Sequence, residues 1–171
     1  NYFVIIFHPV LNEKMFLENQ INNLIKALVK ENYKIKWIFP NNDMGHNIII
    51  DKLKTINFKN FEIIKNLERK EFLSLLKNSR GIIGNSSCGI IEASMYKLPV
   101  INIGNRQNGR PQTKNIINTD YEEKNISKAI KIIKSKKIKK IKNLFYKKNS
   151  SKIIFKLIFK YSKDNKIFKK F

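Results

Sequence analysis

Apolar residues fall into short blocks separated by polar turns, and the blocks are of two alternating kinds. Tyr2 to Phe7 is an unbroken apolar run, the pattern of a parallel strand buried on both faces, and it stops at His8-Pro9-Val10. From Asn12 to Asn32 the apolar positions Met15, Phe16, Ile21, Leu24, Ile25, Leu28 and Val29 recur at helical spacing. Ile35 to Phe39 predicts a second strand, ended by Pro40, and Asn41 to Gly45 predicts a turn. A helix over His46–Asn57 follows, with Ile49, Leu53 and Ile56 on one face. Phe61–Ile64 predicts a third strand and Glu68–Ser79 a short helix with Phe72, Leu75 and Leu76 inward.

The next stretch, Gly81 to Arg110, holds five of the six glycines. It predicts a strand at Gly81–Ile83, a polar turn Gly84-Asn85-Ser86-Ser87, a helix from Cys88-Gly89 to Tyr96, and a fifth strand at Pro99–Ile103. Asn115–Asn118 predicts a short sixth strand. Helices are expected over Glu122–Lys134, Ile138–Tyr146 and Ser150–Tyr161, the last capped by Ser150 or Ser151. Strand and helix alternate, so the expected fold is a Rossmann-like three-layer α/β/α arrangement around a parallel sheet. Residues 1–146 read as the nucleotide-binding domain, and residues 147–171 as a basic C-terminal helix and tail.

Charge changes the picture less than its total suggests. The net charge is +22, but residues 124–171 carry 18 lysines against one acid, Asp164. The basicity belongs to a tail, and the abundance of Lys, Ile, Asn and Phe is the composition that AT-rich codons favour, which would supply lysines without any partner. Lys152, Lys156, Lys160 and Lys163 share one side of the last helix. That pattern suits an anionic membrane or nucleic acid, and equally a helix packed on the fold with lysines outward. The packed helix is the expectation, so neither nucleic acid nor membrane is the expected partner. The single cysteine, Cys88, excludes an internal disulfide and fits a cytoplasmic setting. One cysteine and two separated histidines make no zinc site, and no cofactor is expected.

Polar candidates follow the ends of several strands: His8 after the first, Asn41 after the second, Ser86 and Ser87 after the fourth, Arg106 after the fifth. In a parallel α/β sheet such residues share one rim, where ligands bind. Ser86 and Ser87 precede a helix start and could hold a phosphate, or one of them could simply cap the helix. Glu92, one turn into that helix, could accept hydrogen bonds from ribose hydroxyls or only complement the helix dipole. Arg106 and Arg110 are two of four arginines among 31 lysines, which points to bidentate geometry. His8 is either a satisfied structural group or the candidate catalytic residue.

Four motifs together, Phe7-His8-Pro9-Val10, Phe39-Pro40-Asn41-Asn42-Asp43-Met44-Gly45, Ile83 to Glu92 and Pro99 to Arg110, resemble those of the hydrolysing UDP-N-acetylglucosamine 2-epimerases of the sialic-acid pathway. The resemblance runs in order over roughly residues 3–160. It implies the C-terminal half of a GT-B fold acting on a UDP-sugar, UDP-N-acetylglucosamine plus water giving N-acetylmannosamine and UDP. It implies elimination of UDP across C1–C2, then addition of water to the resulting 2-acetamidoglucal. By the same resemblance His8 and Arg106 lie at the diphosphate and Asn41 lines that site. Ser86 and Ser87 hold phosphate oxygens, Glu92 binds the ribose, and Leu67 occupies the uracil-contacting backbone position. It further implies an N-terminal GT-B half, missing here, that holds most of the acids and bases, and a homo-oligomeric intact enzyme. A GT-B glycosyltransferase is the alternative reading. Two departures stand out. Tyr146-Lys147-Lys148-Asn149 lacks the glycines of the family's late turn, and Asn47 and Asp51 replace the basic residues that bind a feedback inhibitor in animal enzymes.

Overall fold

A computed structural model describes residues 2–135, 141 and 143–162. Six strands, β1 (Tyr2–Ile6), β2 (Lys34–Ile38), β3 (Phe61–Ile64), β4 (Gly81–Gly84), β5 (Val100–Ile103) and β6 (Ile116–Thr119), form one sheet. All pairings are parallel and the order is β3-β2-β1-β4-β5-β6. The chain builds outward from β1 on one side, then returns to start the other side at β4. The strand order therefore reverses between β1 and β4, and the crevice above that junction is where such sheets bind ligands.

The helices are α1 (Leu17–Val29), α2 (His46–Lys54), α3 (Arg69–Lys77), α4 (Glu92–Met95), α5 (Glu123–Ser135) and α6 (Ser150–Ser162). Strand alternation sorts the core into two layers. Phe3, Ile5, Phe7, Ile35, Trp37, Ile83, Ile101 and Ile103 pack with α1, α2 and α5. Val4, Ile6, Ile82 and Val100 face the other way, against Leu76 of α3, Cys88 and Ala93 of α4. Both faces of β1 and β4 are buried, which explains their continuous apolar runs. The three-layer α/β/α architecture expected from the strand–helix alternation is the one observed.

Four local expectations need correction. The first helix begins with a 3₁₀ segment, Leu11–Phe16, whose Leu11, Met15 and Phe16 are exposed. The helix expected over Cys88–Tyr96 is split into a 3₁₀ turn, Ser87–Gly89, and the four-residue α4. Gly89 is a weak helix former, and a Cβ there would stand 2.9 Å from Val100 Cγ1. Gly89 therefore lets this turn lie close against β5. The helix expected over Ile138–Tyr146 falls partly outside the described residues, and Asn143 to Tyr146 are not helical. Ser150 is inside α6 rather than its cap; its hydroxyl donates to the Lys147 carbonyl at 2.6 Å.

The last helix departs from expectation in a larger way. The sequence pattern predicts α6 packed on the fold with lysines outward, yet it buries no residue. Ile154, Phe155, Leu157, Ile158, Phe159 and Tyr161 are all exposed. Lys152, Lys156 and Lys160 form one narrow stripe, and apolar side chains occupy most of the remaining circumference. No helix among the described residues is long and apolar enough to cross a membrane.

Candidate functional site

The rim above the β1–β4 junction is held together by one buried side chain, Asn85, which is 0% exposed. Its Oδ1 accepts from the His8 N–H at 2.7 Å, and its Nδ2 donates to the His8 carbonyl at 2.8 Å. The Asn85 amide thus continues the ladder one step beyond the paired strands. Gly84 makes this approach possible. It adopts φ +141°, and a Cβ there would fall 2.0 Å from the Ile6 carbonyl oxygen. On its other side Asn85 offers its backbone carbonyl to Gln107 Nε2 at 2.8 Å, and Arg106 Nη1 reaches the same oxygen at 3.4 Å. The loop after β5 is therefore latched to the loop after β4.

His8 is fixed from both ends. Its backbone is clamped by Asn85, and its Nδ1 accepts from the Asn41 N–H at 3.0 Å. An Nδ1 that accepts leaves the proton on Nε2. Burial, aided by the nearby Arg106 guanidinium, lowers the His8 pKa from 6.5 to about 4, against the opposing pull of Asp43. Near neutral pH His8 is an uncharged imidazole with a fixed Nε2–H donor. Asp43 closes the circuit. Its carboxylate accepts from Asn41 Nδ2 at 2.6 Å and meets Arg106 Nη2 at 3.4 Å. The Asn41 contact is the main cause holding the Asp43 pKa below its usual value.

Ser86 and Ser87 sit half-buried at the β4 end, directly beside this group. Ser86 is the cap of the 3₁₀ turn, its Oγ 3.5 Å from the Cys88 N–H. With no long helix behind it, the turn offers hydroxyls and local N–H groups rather than a full helix dipole. Cys88 is buried, and desolvation pushes its thiol up to about 12, so it stays protonated and inert. Glu92 is the first residue of α4, not a full turn into a helix. Its Oε1 accepts from Arg69 Nη1 at 3.0 Å. Arg69 opens α3, and Leu67 lies two residues earlier, so this ion pair brings the loop after β3 to the glutamate. The Leu67 side chain lines an open 490 Å³ hollow with Tyr2 and Leu75. Arg110 is exposed in the loop after β5. A larger hollow, 770 Å³, lies between α1 and α5. It is walled by helices carrying mixed charge, away from the strand ends, and takes no part in this constellation.

Residues 1–159 match the family described as UDP-N-acetylglucosamine 2-epimerase. The chain belongs to this family. It is 40% identical over 130 residues to the UDP-N-acetylglucosamine 2-epimerase of Neisseria meningitidis serogroup B, covering 76% of this chain and 34% of that protein. It is 39% identical over 118 residues to the UDP-N,N'-diacetylbacillosamine 2-epimerase (hydrolyzing) of Legionella pneumophila, covering 68% of this chain and 31% of that one. The fold resembles Methanocaldococcus jannaschii UDP-GlcNAc 2-epimerase crystallised with UDP-GlcNAc and UDP. The TM-score is 0.75 at 22% identity, over 93% of this chain and 45% of the other. The chain thus spans about a third of the curated relatives it matches.

Against this family, the structure brings His8, Asn41, Ser86, Ser87 and Arg106 to one crevice and sets Glu92 on the β4 side of it. Sequence reasoning missed Asn85, Asp43, Gln107 and Arg69. Asn85 and Gln107 gave no signal, because a buried amide looks like any surface polar residue in a one-dimensional pattern. Arg69 did give one, since the scarcity of arginine that marked Arg106 marks it equally.

Proposed function

We propose that this chain is the UDP-binding, C-terminal half of a hydrolysing UDP-N-acetylglucosamine 2-epimerase with a GT-B fold, and that residues 1–146 form its nucleotide-binding unit. The observation that carries the reading is the reversal of strand order between β1 and β4, with His8 on one strand end and Ser86 and Ser87 on the other. A diphosphate in that crevice receives the Nε2–H of His8, the serine hydroxyls and the Arg106 guanidinium, while Asn41 holds the His8 ring. Glu92, one strand-end turn away, accepts from the ribose hydroxyls, and Leu67 marks the uracil side. Preorganised donors of this kind stabilise charge on a departing UDP.

His8 acts in this scheme as a hydrogen-bond donor, through Nε2–H, to the leaving diphosphate. Without ligand the imidazole is uncharged near neutral pH, and a diphosphate seated against it raises its pKa, because a nearby anion favours the imidazolium. Transfer of the C2 proton and addition of water belong to groups outside this chain. The reaction thus requires a second GT-B half, in an enzyme that works as a homo-oligomer in the cytoplasm. The isolated chain binds UDP without turning over UDP-N-acetylglucosamine.

Calorimetry with UDP tests the reading. The folded chain binds UDP, and Glu92→Ala weakens UDP while leaving pyrophosphate affinity unchanged. Absence of binding at millimolar UDP sinks the nucleotide site; equal weakening of both ligands sinks the ribose role of Glu92.

A further inference from the structure

The pair Arg69–Glu92 links the start of α3 to the start of α4. It is monodentate, a single Nη1–Oε1 contact of 3.0 Å. The two side chains differ sharply in exposure, Arg69 at 68% and Glu92 at 15%. Because Glu92 is recessed, solvent screens the pair less than it screens a fully exposed one. Arg69 is the first residue of α3, and the start of that helix is fixed by the Glu71 carboxylate accepting from the Glu68 N–H at 3.1 Å. A helix-anchored guanidinium therefore reaches across to a recessed carboxylate on a different strand end. It engages Oε1 only.

We infer that Arg69 is a positioning residue for ribose recognition: it fixes the rotamer of Glu92 so that the carboxylate is preset for two vicinal hydroxyls. This rests on the nucleotide reading above. A free glutamate has three rotatable bonds to freeze on binding, and a carboxylate that must accept from adjacent hydroxyls has to present both oxygens in one plane. A carboxylate oxygen has two acceptor sites, so Oε1 can keep Arg69 while taking a hydroxyl, and Oε2 stays open for the other. Lysine is the default cation of this chain, yet arginine stands here. The delocalised guanidinium is more weakly hydrated than an ammonium, so it pairs with a recessed carboxylate at less desolvation cost.

The test measures UDP, 2′-deoxy-UDP and pyrophosphate affinities at about 0.15 M salt for the wild type, Arg69→Ala, Arg69→Lys, Glu92→Ala and the Arg69→Ala/Glu92→Ala double variant. Arg69→Ala is expected to weaken UDP about tenfold, the scale of one side chain's lost preorganisation. It should weaken 2′-deoxy-UDP less, so the preference for the ribonucleotide falls, and leave pyrophosphate unchanged. Arg69→Lys should recover only part of the loss, and Arg69→Ala should add nothing once Glu92 is alanine. Equal loss for UDP and pyrophosphate would show that Arg69 merely adds positive potential, and would overturn the inference. So would tighter UDP binding by Arg69→Ala, which would make Arg69 a competitor of the ribose, or an unchanged affinity. Failure of the wild type itself to bind UDP removes the nucleotide reading, and this inference with it. An unchanged urea midpoint for Arg69→Ala separates recognition from folding.

Discussion

Replacing Asn85 by alanine probes the junction on which the site depends. The change removes two hydrogen bonds, of 2.7 and 2.8 Å, and leaves the His8 N–H and carbonyl without their partner. The side chain is fully buried. Each net bond is worth about 1 kcal/mol, and a stranded buried group costs about 1–3 kcal/mol. The loss of folding stability should therefore be about 2–4 kcal/mol. Asn85→Asp is the sharper version. The carboxylate still accepts from the His8 N–H but turns an oxygen toward the His8 carbonyl, and it buries a charge. Its cost should reach about 3–5 kcal/mol. Urea titration followed by tryptophan fluorescence provides the assay, since Trp37 lies in the core on β2. Lowering the pH should narrow the gap between the Asn85→Asp variant and wild type, because a protonated carboxyl can donate where the amide did. UDP affinity should fall alongside stability in the alanine variant, as His8 loses its backbone clamp. A loss below about 1 kcal/mol with unchanged UDP binding would refute the argument that this amide holds β1 to β4.

Other outcomes follow from the same geometry. Gly84→Ala drives a Cβ into the Ile6 carbonyl at a positive φ of +141°, and should cost more than about 3 kcal/mol, visible as a collapsed urea midpoint or insoluble protein. His8 has a folded pKa of about 4 against 6.5 for the free group, so the unfolded chain takes up its proton first as the pH falls. Its contribution is complete above pH 6.5 and lost on acidification toward pH 4, by at most about 3 kcal/mol and less with partial solvent access. His8→Asn should flatten the stability profile in that window, and an unaltered slope would assign the titration elsewhere. Gly104→Ala places a Cβ 2.0 Å from the Tyr121 hydroxyl at φ +74° and should lower the melting temperature, whereas Gly109→Ala, strained at φ +78° but in open space, should lower it less.

The layers of the fold were legible because each strand is a run of apolar residues between punctuating Gly, Pro and Asn. Tyr2 to Phe7 had to be doubly buried; Phe3 to Phe7 are, and Tyr2 is half-buried. The candidate rim was legible in part for the same reason: His8, Asn41, Ser86 and Arg106 are among the first polar residues after apolar strands. What the pattern could not show is who touches whom across the rim. Asp43 read as a turn former, yet it meets Arg106. Glu92 read as a residue within a continuous helix, but it opens a separate four-residue helix after a 3₁₀ turn. α6 misled for a physical reason. Its amphipathic spacing promises a packed face, and periodicity carries no information about whether the surface it fits lies within the same 171 residues.

The hydrogen bonds between His8 and Asn85 join residues 77 positions apart. All of β2, β3 and the helices around them must be threaded between those two residues before the clamp can close. Contacts of such sequence separation form late and slowly, after the entropy of a long loop has been overcome. The crevice between β1 and β4 is accordingly absent from any chain that ends before β4. A chain cut before β4 lacks this junction and also the β4, β5 and α5 side chains that complete the core around α1. On the proposed nucleotide reading, acquisition of UDP affinity marks the docking of β4 against β1, and ligand present during refolding acts on the completed sheet rather than on its precursors.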